Sequence, residues 1–290
     1  MIRPAWLDGV AALAGAYDAF VVDLWGVLHD GHAAYPGAAE ALAGLKAAGK
    51  RVVLLSNAPR RAQALVEAMA AMGIGRELYD DVMSSGEAVH AELAARTDPF
   101  YANLGARFVL IGCDRDRSLW DGLDLARADV DDADFILNSG PCDPDDTVAD
   151  WQPLLDRAAA RGLPMVCANP DHVVVRDGVR MICAGALADH YVDMGGMVSA
   201  RGKPDPAIYD LALARVGSPD RSRVCAIGDG LHTDVQGALN AGLDAVLVTG
   251  GIHAAELGTE WGDVPDPARL DEVIRFHGAV PKAAMAKFVW

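Results

Sequence analysis

The chain has 290 residues, and its 25 basic and 41 acidic side chains give a formal net charge of −16. This acidic balance argues against nucleic acid as the main partner, because binding to the phosphate backbone depends on clustered lysine and arginine. An apolar share of 52% argues against disorder, and no uninterrupted apolar run is long enough to predict a membrane span.

Short apolar runs alternate with longer amphipathic stretches along the chain, which is the pattern of a parallel sheet covered by helices. The first block of predicted elements has strands at 19–24, 51–55 and 81–84 and helices at 36–49 and 59–72. The second block has strands at 107–111, 134–137 and 164–167 and helices at 87–96, 147–161 and 184–195. The third block has strands at 223–227 and 245–248 and helices that begin after Pro204 and near Leu231.

This order predicts an α/β protein with a discontinuous core and an inserted domain. We expect the core to comprise residues 1–85 and 198–290, and the inserted α/β domain to comprise residues 86–197. The segment 279–290 ends in apolar residues, and we expect it to dock either on the core or on a partner.

Polar residues stand at the carboxyl ends of the predicted core strands or at the starts of the helices that follow. In an open parallel sheet this edge is where ligands bind. Taken singly, the aspartates, serine and asparagine are common turn formers or helix caps and the lysine is a common loop charge. Together they form a set that suits magnesium and phosphate. The set consists of Asp23, Ser56, Asn57, Lys203, Asp229 and Asp234.

The chemistry of such a site explains the residue types. Mg²⁺ prefers a few hard oxygen ligands, which Asp23 and Asp229 offer on separate strands. A phosphoryl group needs N–H donors and a cation, which Ser56, Asn57 and Lys203 can supply. A carboxylate can then attack phosphorus and form an aspartyl-phosphate.

The same residues occur in an order that resembles the haloacid dehalogenase (HAD) superfamily. The position of the insertion is similar to that in its class IIA, the NagD-like and 4-nitrophenylphosphatase-like hydrolases. Within the insertion, Gly185-Ala186-Leu187 resembles the glycine–alanine helix start of that class. The matching segments are Asp23-Leu24-Trp25-Gly26-Val27, Leu54-Leu55-Ser56-Asn57, Gly202-Lys203-Pro204, Gly228-Asp229 with Asp234, and Asn169-Pro170-Asp171.

The resemblance implies a Rossmann-like three-layer core, a C2-type cap and a Mg²⁺-dependent phosphatase for a small phosphorylated metabolite. Asp23 would be the nucleophile and a metal ligand, with the backbone carbonyl of Trp25 and Asp229 as further ligands. Asp234 would act on the metal indirectly or orient Lys203, which neutralises charge beside the phosphate-binding Ser56 and Asn57. The cap would approach the substrate through Asn169, Pro170 and Asp171.

Trp25 departs from the family pattern, because phosphatases of this family carry a second aspartic acid at that position as general acid. Tryptophan cannot titrate, and general acid–base catalysis typically contributes about 10²–10⁴-fold. One explanation is that the substrate has a good leaving group that needs no acid. Another is that His29, Asp30 or His32 replaces the missing acid, although we favour turn and surface roles for these three residues. Weak turnover in a phosphate-binding protein and C–halogen hydrolysis are the alternatives. A dinucleotide-binding dehydrogenase is disfavoured, because G-x-G-x-x-G does not follow the first strand.

The remaining expectations concern the compartment and the partners. The five cysteines are scattered without a C-x-x-C pair, so we expect buried reduced thiols rather than a disulfide framework. With no apolar signal segment at the N-terminus, this predicts a cytoplasmic protein. Neither nucleic acid nor membrane is an expected partner. Dimerisation through the cap is common in the resembled class, and a homodimer is carried over from that resemblance alone.

Overall fold

The computed structural model describes residues 3–176 and 179–290. Its strands within these residues are β1 (Ala5–Trp6), β2 (Ala19–Val22), β3 (Arg51–Ser56), β4 (Asp81–Ser84), β5 (Arg107–Ile111), β6 (Ala126–Arg127), β7 (Phe135–Asn138), β8 (Met165–Cys167), β9 (Val173–Arg176), β10 (Val179–Ile182), β11 (Val198–Ala200), β12 (Val224–Gly228), β13 (Asp244–Val248) and β14 (Ala283–Met285). Its α-helices there are α1 (Ala38–Ala47), α2 (Ala62–Ala71), α3 (Ser85–Ala95), α4 (Pro99–Ala102), α5 (Val148–Ala160), α6 (Ala184–Asp193), α7 (Pro206–Ala214), α8 (Gln236–Asn240), α9 (Ala254–Leu257) and α10 (Pro267–His277). Across the described ranges, every helix is too short or too polar to cross a membrane.

The chain divides into two compact units. The core unit consists of Met1–Ser56, Leu65–Met83 and Lys203–Trp290. The insert unit consists of Asn57–Ala64 and Ser84–Gly202. Both units are α/β, which confirms the fold class predicted from the alternating apolar pattern.

The core unit is built on a seven-stranded sheet in the order β1, β14, β13, β12, β2, β3, β4. The strands from β1 through β3 run parallel, and those at the centre are almost entirely buried and apolar. Val22 of β2 pairs with Leu54 of β3 and with Ile227 of β12. The carboxyl ends of these three strands therefore lie at one level.

The C-terminal segment docks on the core unit, which was one of the two expectations for residues 279–290. Strand β14 lies between β13 and β1, and Phe288 is buried. The carbonyl of Val289 accepts a hydrogen bond from the N–H of Val10 at 2.7 Å. Strands β1 and β14 escaped prediction because two or three residues are too few to show a period.

The insert unit has a five-stranded parallel sheet in the order β11, β8, β7, β5, β6 and a separate antiparallel pair of strands, β9 and β10. Successive residues of β5 point to opposite faces. Phe108 and Leu110 pack in one apolar cluster with α3 and α4, and Val109 and Ile111 pack in another with α5 and α6. The sheet is therefore covered by helices on both faces.

Helix α2 begins at Ala62, whereas the sequence predicted a start at Pro59. The carboxylate of Glu87 accepts the N–H of Ala62 at 3.1 Å and both a 3.1 Å and a 3.0 Å bond from the guanidinium of Arg61. A distant side chain thus caps the helix, and the residues after Asn57 form a loop instead of its first turn.

One expectation about the cysteines is wrong. Cys113 and Cys142 form a disulfide, with their Cα atoms 5.7 Å apart. Cys113 follows β5 and Cys142 follows the adjacent strand β7, so the fold brings together two residues whose spacing gave no signal. Cys167, Cys183 and Cys225 are free and buried as expected, and burial raises the pKa of the first two thiols to about 12.

Candidate active site

Three neighbouring strands of the core sheet end in polar residues. Asp23 directly follows β2, Asp229 directly follows β12, and Ser56 is the last residue of β3. All three side chains are buried. The N–H of Asp23 donates to the carbonyl of Ile227 at 2.9 Å, so the ladder between β2 and β12 continues into the site. The structure therefore places these predicted residues at one edge of the sheet.

Three carboxylates meet at this edge. Oxygen atoms from Asp23, Asp229 and Asp234 all lie within 4.8 Å of one another. Burial raises the pKa of Asp229 well above its usual range, and the charges of Asp23 and Asp234 raise it further. The N–H of Ile252 donates to Asp229 Oδ2 at 2.7 Å and fixes its orientation. Carboxylates this close and this buried require cations.

Lys203 supplies one of those cations from inside the protein. Its Nζ donates to Asp23 Oδ1 at 2.6 Å, to Asp234 Oδ1 at 2.7 Å and to the carbonyl of Leu55 at 3.4 Å. The side chain is only 4% exposed. If all three carboxylates are ionised, they and the ammonium carry a net charge of −2, which a divalent cation would neutralise.

The donor set fits magnesium. Mg²⁺ binds through one or two carboxylates and keeps several waters, so Asp23 and Asp229 suffice as side-chain ligands. Asp234 accepts the ammonium of Lys203 on Oδ1 and the N–H of Gly230 on Oδ2 at 3.0 Å. Both oxygens of Asp234 thus have protein partners, and the indirect role expected for this residue stays a prediction.

Asp234 lies in a π-helical turn, Leu231–Val235, which precedes α8, whereas the sequence predicted an ordinary first helical turn. The hydroxyl of Tyr209 donates to the carbonyl of Asp234 at 3.0 Å. Such turns are rare in proteins, and many of those that occur lie at functional sites. Here the turn lies between Asp229 and α8 and carries Asp234 towards Lys203.

Two glycines make room for the Asp229 carboxylate. A Cβ atom on Gly26 would lie 1.9 Å from Asp229 Oδ2, and one on Gly251 would lie 2.0 Å from the same atom. Gly26 also has a φ of +78°, where any other residue is strained. Glycine at position 26 is therefore required both by conformation and by space.

The side chain of Trp25 is half-buried in the segment that follows Asp23. Its indole meets the ring of His29 edge-on, with centroids 5.6 Å apart, and a Cβ on Gly31 would lie 2.1 Å from it. Packing against these neighbours thus places the indole. A metal contact through the carbonyl of Trp25 stays a prediction.

The nearby candidates for a substitute acid make local hydrogen bonds. His29 is buried, and its Nδ1 accepts the N–H of Gly31 at 3.0 Å. Asp30 Oδ1 accepts the N–H groups of His32 and Ala33, both at 2.8 Å, and the Ala33 bond is the main cause of a lowered pKa at Asp30. Asp30 is therefore an ionised turn residue rather than a proton donor.

Asn57 is the first residue of the insert unit, and its amide has protein partners at both ends. Its Nδ2 donates to Asp171 Oδ1 at 2.8 Å, and its Oδ1 accepts the hydroxyl of Ser85 at 3.3 Å. The N–H of Asp171 donates to Asn169 Oδ1 at 3.0 Å. The structure thus joins Asn57 to the Asn169-Pro170-Asp171 segment, while phosphate binding by Asn57 and substrate contact by that segment stay predictions.

Sequence reasoning missed several supporting residues. The Thr249-Gly250-Gly251 run after the predicted strand 245–248 was an available signal for Ile252, because it lies at the same sheet edge as Asp229. No signal was available for Ser85, since only the fold brings its hydroxyl to Asn57.

Comparison with known proteins gives the same family as the motifs. The profile of haloacid dehalogenase-like hydrolases matches residues 20–126, and a HAD-hydrolase-like profile matches residues 200–274. A solved haloacid dehalogenase-like hydrolase from Brucella suis 1330 is 35% identical, with a TM-score of 0.82 over 98% of this chain and 100% of that one.

Two named relatives are phosphatases. D-glycerol 3-phosphate phosphatase of Mycobacterium tuberculosis is 26% identical over 84% of this chain and 66% of that protein, just under two thirds of its length. Ribonucleotide monophosphatase NagD of Escherichia coli K12 is 27% identical over 81% of this chain and 89% of that protein. The chain therefore belongs to the haloacid dehalogenase superfamily, in its NagD-like class IIA, and is a hydrolase.

Proposed function

We propose that this protein is a magnesium-dependent phosphatase that hydrolyses a small phosphorylated metabolite through an aspartyl-phosphate on Asp23. The observation that carries the proposal is the buried contact of Lys203 Nζ with Asp23 Oδ1 at 2.6 Å, beside the carboxylate of Asp229. This contact favours an ionised nucleophile and holds a positive charge where a phosphoryl group is attacked. The names of the two phosphatase relatives support the same reaction class.

In the first step, a carboxylate oxygen of Asp23 forms a bond to phosphorus while the bond from phosphorus to the leaving oxygen breaks. Lys203 neutralises charge that develops on the phosphoryl oxygens, and the hydroxyl of Ser56 donates to one of them. Water then cleaves the aspartyl-phosphate, which releases inorganic phosphate and returns Asp23 as a carboxylate. Magnesium, when bound by Asp23 and Asp229, neutralises the negative charge shared by the carboxylates and the phosphoryl group.

The residue at position 25 restricts the leaving group. The indole of Trp25 carries no titratable proton, and the carboxylate of Asp30 is ionised and engaged in its turn. Neither can protonate a departing alkoxide. We therefore propose that the preferred substrates have weakly basic leaving groups, as acyl and aryl phosphates do, and that alkyl phosphates react more slowly by about 10²–10⁴-fold.

We also propose that the inserted α/β domain acts as the C2-type cap that selects the substrate. In the division predicted from the sequence, this domain comprises residues 86–197 and the core comprises residues 1–85 and 198–290. The Asn169-Pro170-Asp171 segment begins two residues after β8, at the carboxyl edge of the parallel sheet in the insert unit. Ligands favour that edge, and the bond from Asn57 to Asp171 restricts the segment there.

The test is multiple-turnover release of inorganic phosphate from acetyl phosphate, 4-nitrophenyl phosphate, sugar phosphates and nucleotides, with Mg²⁺ or with EDTA. We expect Asp23→Asn to abolish turnover, because an amide is not a nucleophile here. Asp18→Asn is the matched control, since Asp18 is exposed just before the same strand, where it pairs with Arg223. Loss of turnover in both variants or in neither would contradict the assignment of Asp23.

Trp25 also favours a second candidate, a phosphate-binding protein with weak turnover. Failure of the wild-type protein to release phosphate from the whole panel, together with measurable phosphate binding, would favour it. Halide release that persists in EDTA would favour C–halogen hydrolysis instead. A departing halide needs no proton, so that reaction also fits the tryptophan at position 25.

A further inference from the structure

A cluster of three histidines and a glutamate lies beside the proposed magnesium site, on its own core unit. Glu256 Oε2 is 3.0 Å from His253 Nδ1 and 3.0 Å from His277 Nε2. His277 Nδ1 is 2.8 Å from His232 Nε2, and the N–H of Leu231 donates to His253 Nε2 at 3.1 Å. The catalytic scheme uses none of these side chains, although His253 and His277 are each only 8% exposed.

The hydrogen bonds determine where each ring carries its proton. His253 accepts at Nε2, so its neutral ring carries a proton on Nδ1 and donates it to Glu256. Burial lowers the pKa of His253, which favours that neutral ring. His277 likewise donates from Nε2 to Glu256, and its Nδ1 is paired with Nε2 of His232. One carboxylate therefore accepts two imidazole N–H groups.

The same pattern argues against a second metal ion in this cluster. Ligand atoms of His253, Glu256 and His277 lie within 4.8 Å of one another, close enough in distance for a transition metal. Coordination through His253 Nδ1, however, would move the proton to Nε2, which faces the N–H of Leu231. Two donors would then point at each other, so the cluster is built for hydrogen bonding.

The segments held by the cluster carry the proposed metal ligands. Leu231 and His232 begin the π-helical turn that ends near Asp234, and they directly follow Asp229-Gly230. The N–H of Ile252, next to His253, holds Asp229 Oδ2. The cluster therefore restrains the loop that carries both acidic residues, through Leu231 and His232. Ile252, which is next to the cluster in the chain, restrains Asp229 itself.

We propose that His253, Glu256 and His277 are positioning residues that fix the Asp229–Asp234 loop and thereby set magnesium affinity; this rests on the proposed function. Partners that orient a ligand-bearing segment hold it in the geometry the ion requires before the ion binds. Removing these partners keeps both aspartates in the chain but lets the loop that carries them relax.

The experiment measures Mg²⁺ binding to the substrate-free protein by calorimetry. We expect His253→Phe and Glu256→Gln to raise the Mg²⁺ dissociation constant by about 10–100-fold, with kcat for acetyl phosphate unchanged at saturating magnesium. His253→Gln restores most of the affinity, because its amide can accept from Leu231 and donate to Glu256. Glu272→Gln is the control, an exposed glutamate on α10 outside the cluster.

Thermal unfolding of each metal-free variant shows whether it is folded. If His253→Phe does not fold, the Mg²⁺ affinity of Glu256→Gln, which preserves side-chain size, decides the test. Wild-type affinity in folded His253→Phe and Glu256→Gln would overturn the inference while leaving the proposed function intact. Absence of Mg²⁺ binding to the wild type would instead remove the proposed function itself. Stoichiometric Zn²⁺ binding that His253→Phe abolishes would also overturn the inference, because the cluster would then be a metal site.

Discussion

Replacing Lys203 by methionine removes the ammonium that Asp23 and Asp234 share. The lysine side chain is 4% exposed and each aspartate side chain is 8% exposed, so the pair lies away from solvent. Removing one partner of a buried ion pair costs about 3–5 kcal/mol, because the remaining charge has no compensation. We therefore expect Lys203→Met to lower the free energy of unfolding of the metal-free protein by this amount, as measured by urea titration in EDTA.

The pH dependence of this loss has a definite sign. The charge of Lys203 lowers the pKa of Asp229, which burial raises above its unfolded value. Without Lys203 that pKa rises further, so the folded variant binds protons more strongly than the unfolded chain and loses stability as the pH rises. The deficit relative to wild type should be larger at mildly alkaline than at mildly acidic pH.

Two further variants test the reasoning. Adding Asp234→Asn to Lys203→Met should cost less than the sum of the single changes, since it removes a carboxylate that the first change left uncompensated. Lys46→Met is the control in the same unit, because Lys46 pairs with Asp80 at a half-exposed position and should cost about 0.2–1 kcal/mol. A loss in Lys203→Met no larger than in Lys46→Met would refute the buried ion pair.

Three other experiments, two with substitutions and one with chemical labelling, probe the site and the insert unit. Trp25→Asp restores a titratable group, and we expect it to raise turnover of alkyl phosphates by about 10²-fold or more while leaving acetyl phosphate little changed; an equal effect on both would contradict the missing acid. Gly26→Ala should abolish Mg²⁺ binding, because its Cβ would lie 1.9 Å from Asp229 Oδ2, whereas Gly49→Ala, at a similar positive φ but in open space, should bind normally. With a pKa of about 12, the Cys167 thiol should resist iodoacetamide at neutral pH until urea unfolds the protein, and labelling of the native state would contradict its burial.

The parts of the site that the sequence could predict are those that follow from strand position. Asp23 and Asp229 each follow an apolar run, and parallel strands bring such residues to one edge whatever their separation in the chain. Lys203 could be proposed as a cation from its position before a helix, but nothing local indicates that its ammonium lies between two carboxylates.

Features that depend on tertiary contacts could not be predicted in this way. Asn57 and Asp171 are brought together by the insert unit, and so are the disulfide partners Cys113 and Cys142, although neither pair has a spacing with meaning of its own. The late start of α2 likewise depends on Glu87, a side chain from another helix. Local propensity decides which elements form, and long-range partners decide where they end.

The strand order of the core sheet has a consequence for how the protein folds. Val22 pairs with Leu54 a short distance along the chain, but its other neighbour, Ile227, is 205 positions away. Closing so long a loop is slow, so β2 and β3 can pair well before β12 arrives. Until then the apolar edge of β2 is open to other chains, and recombinant yield should depend on how quickly that edge is covered.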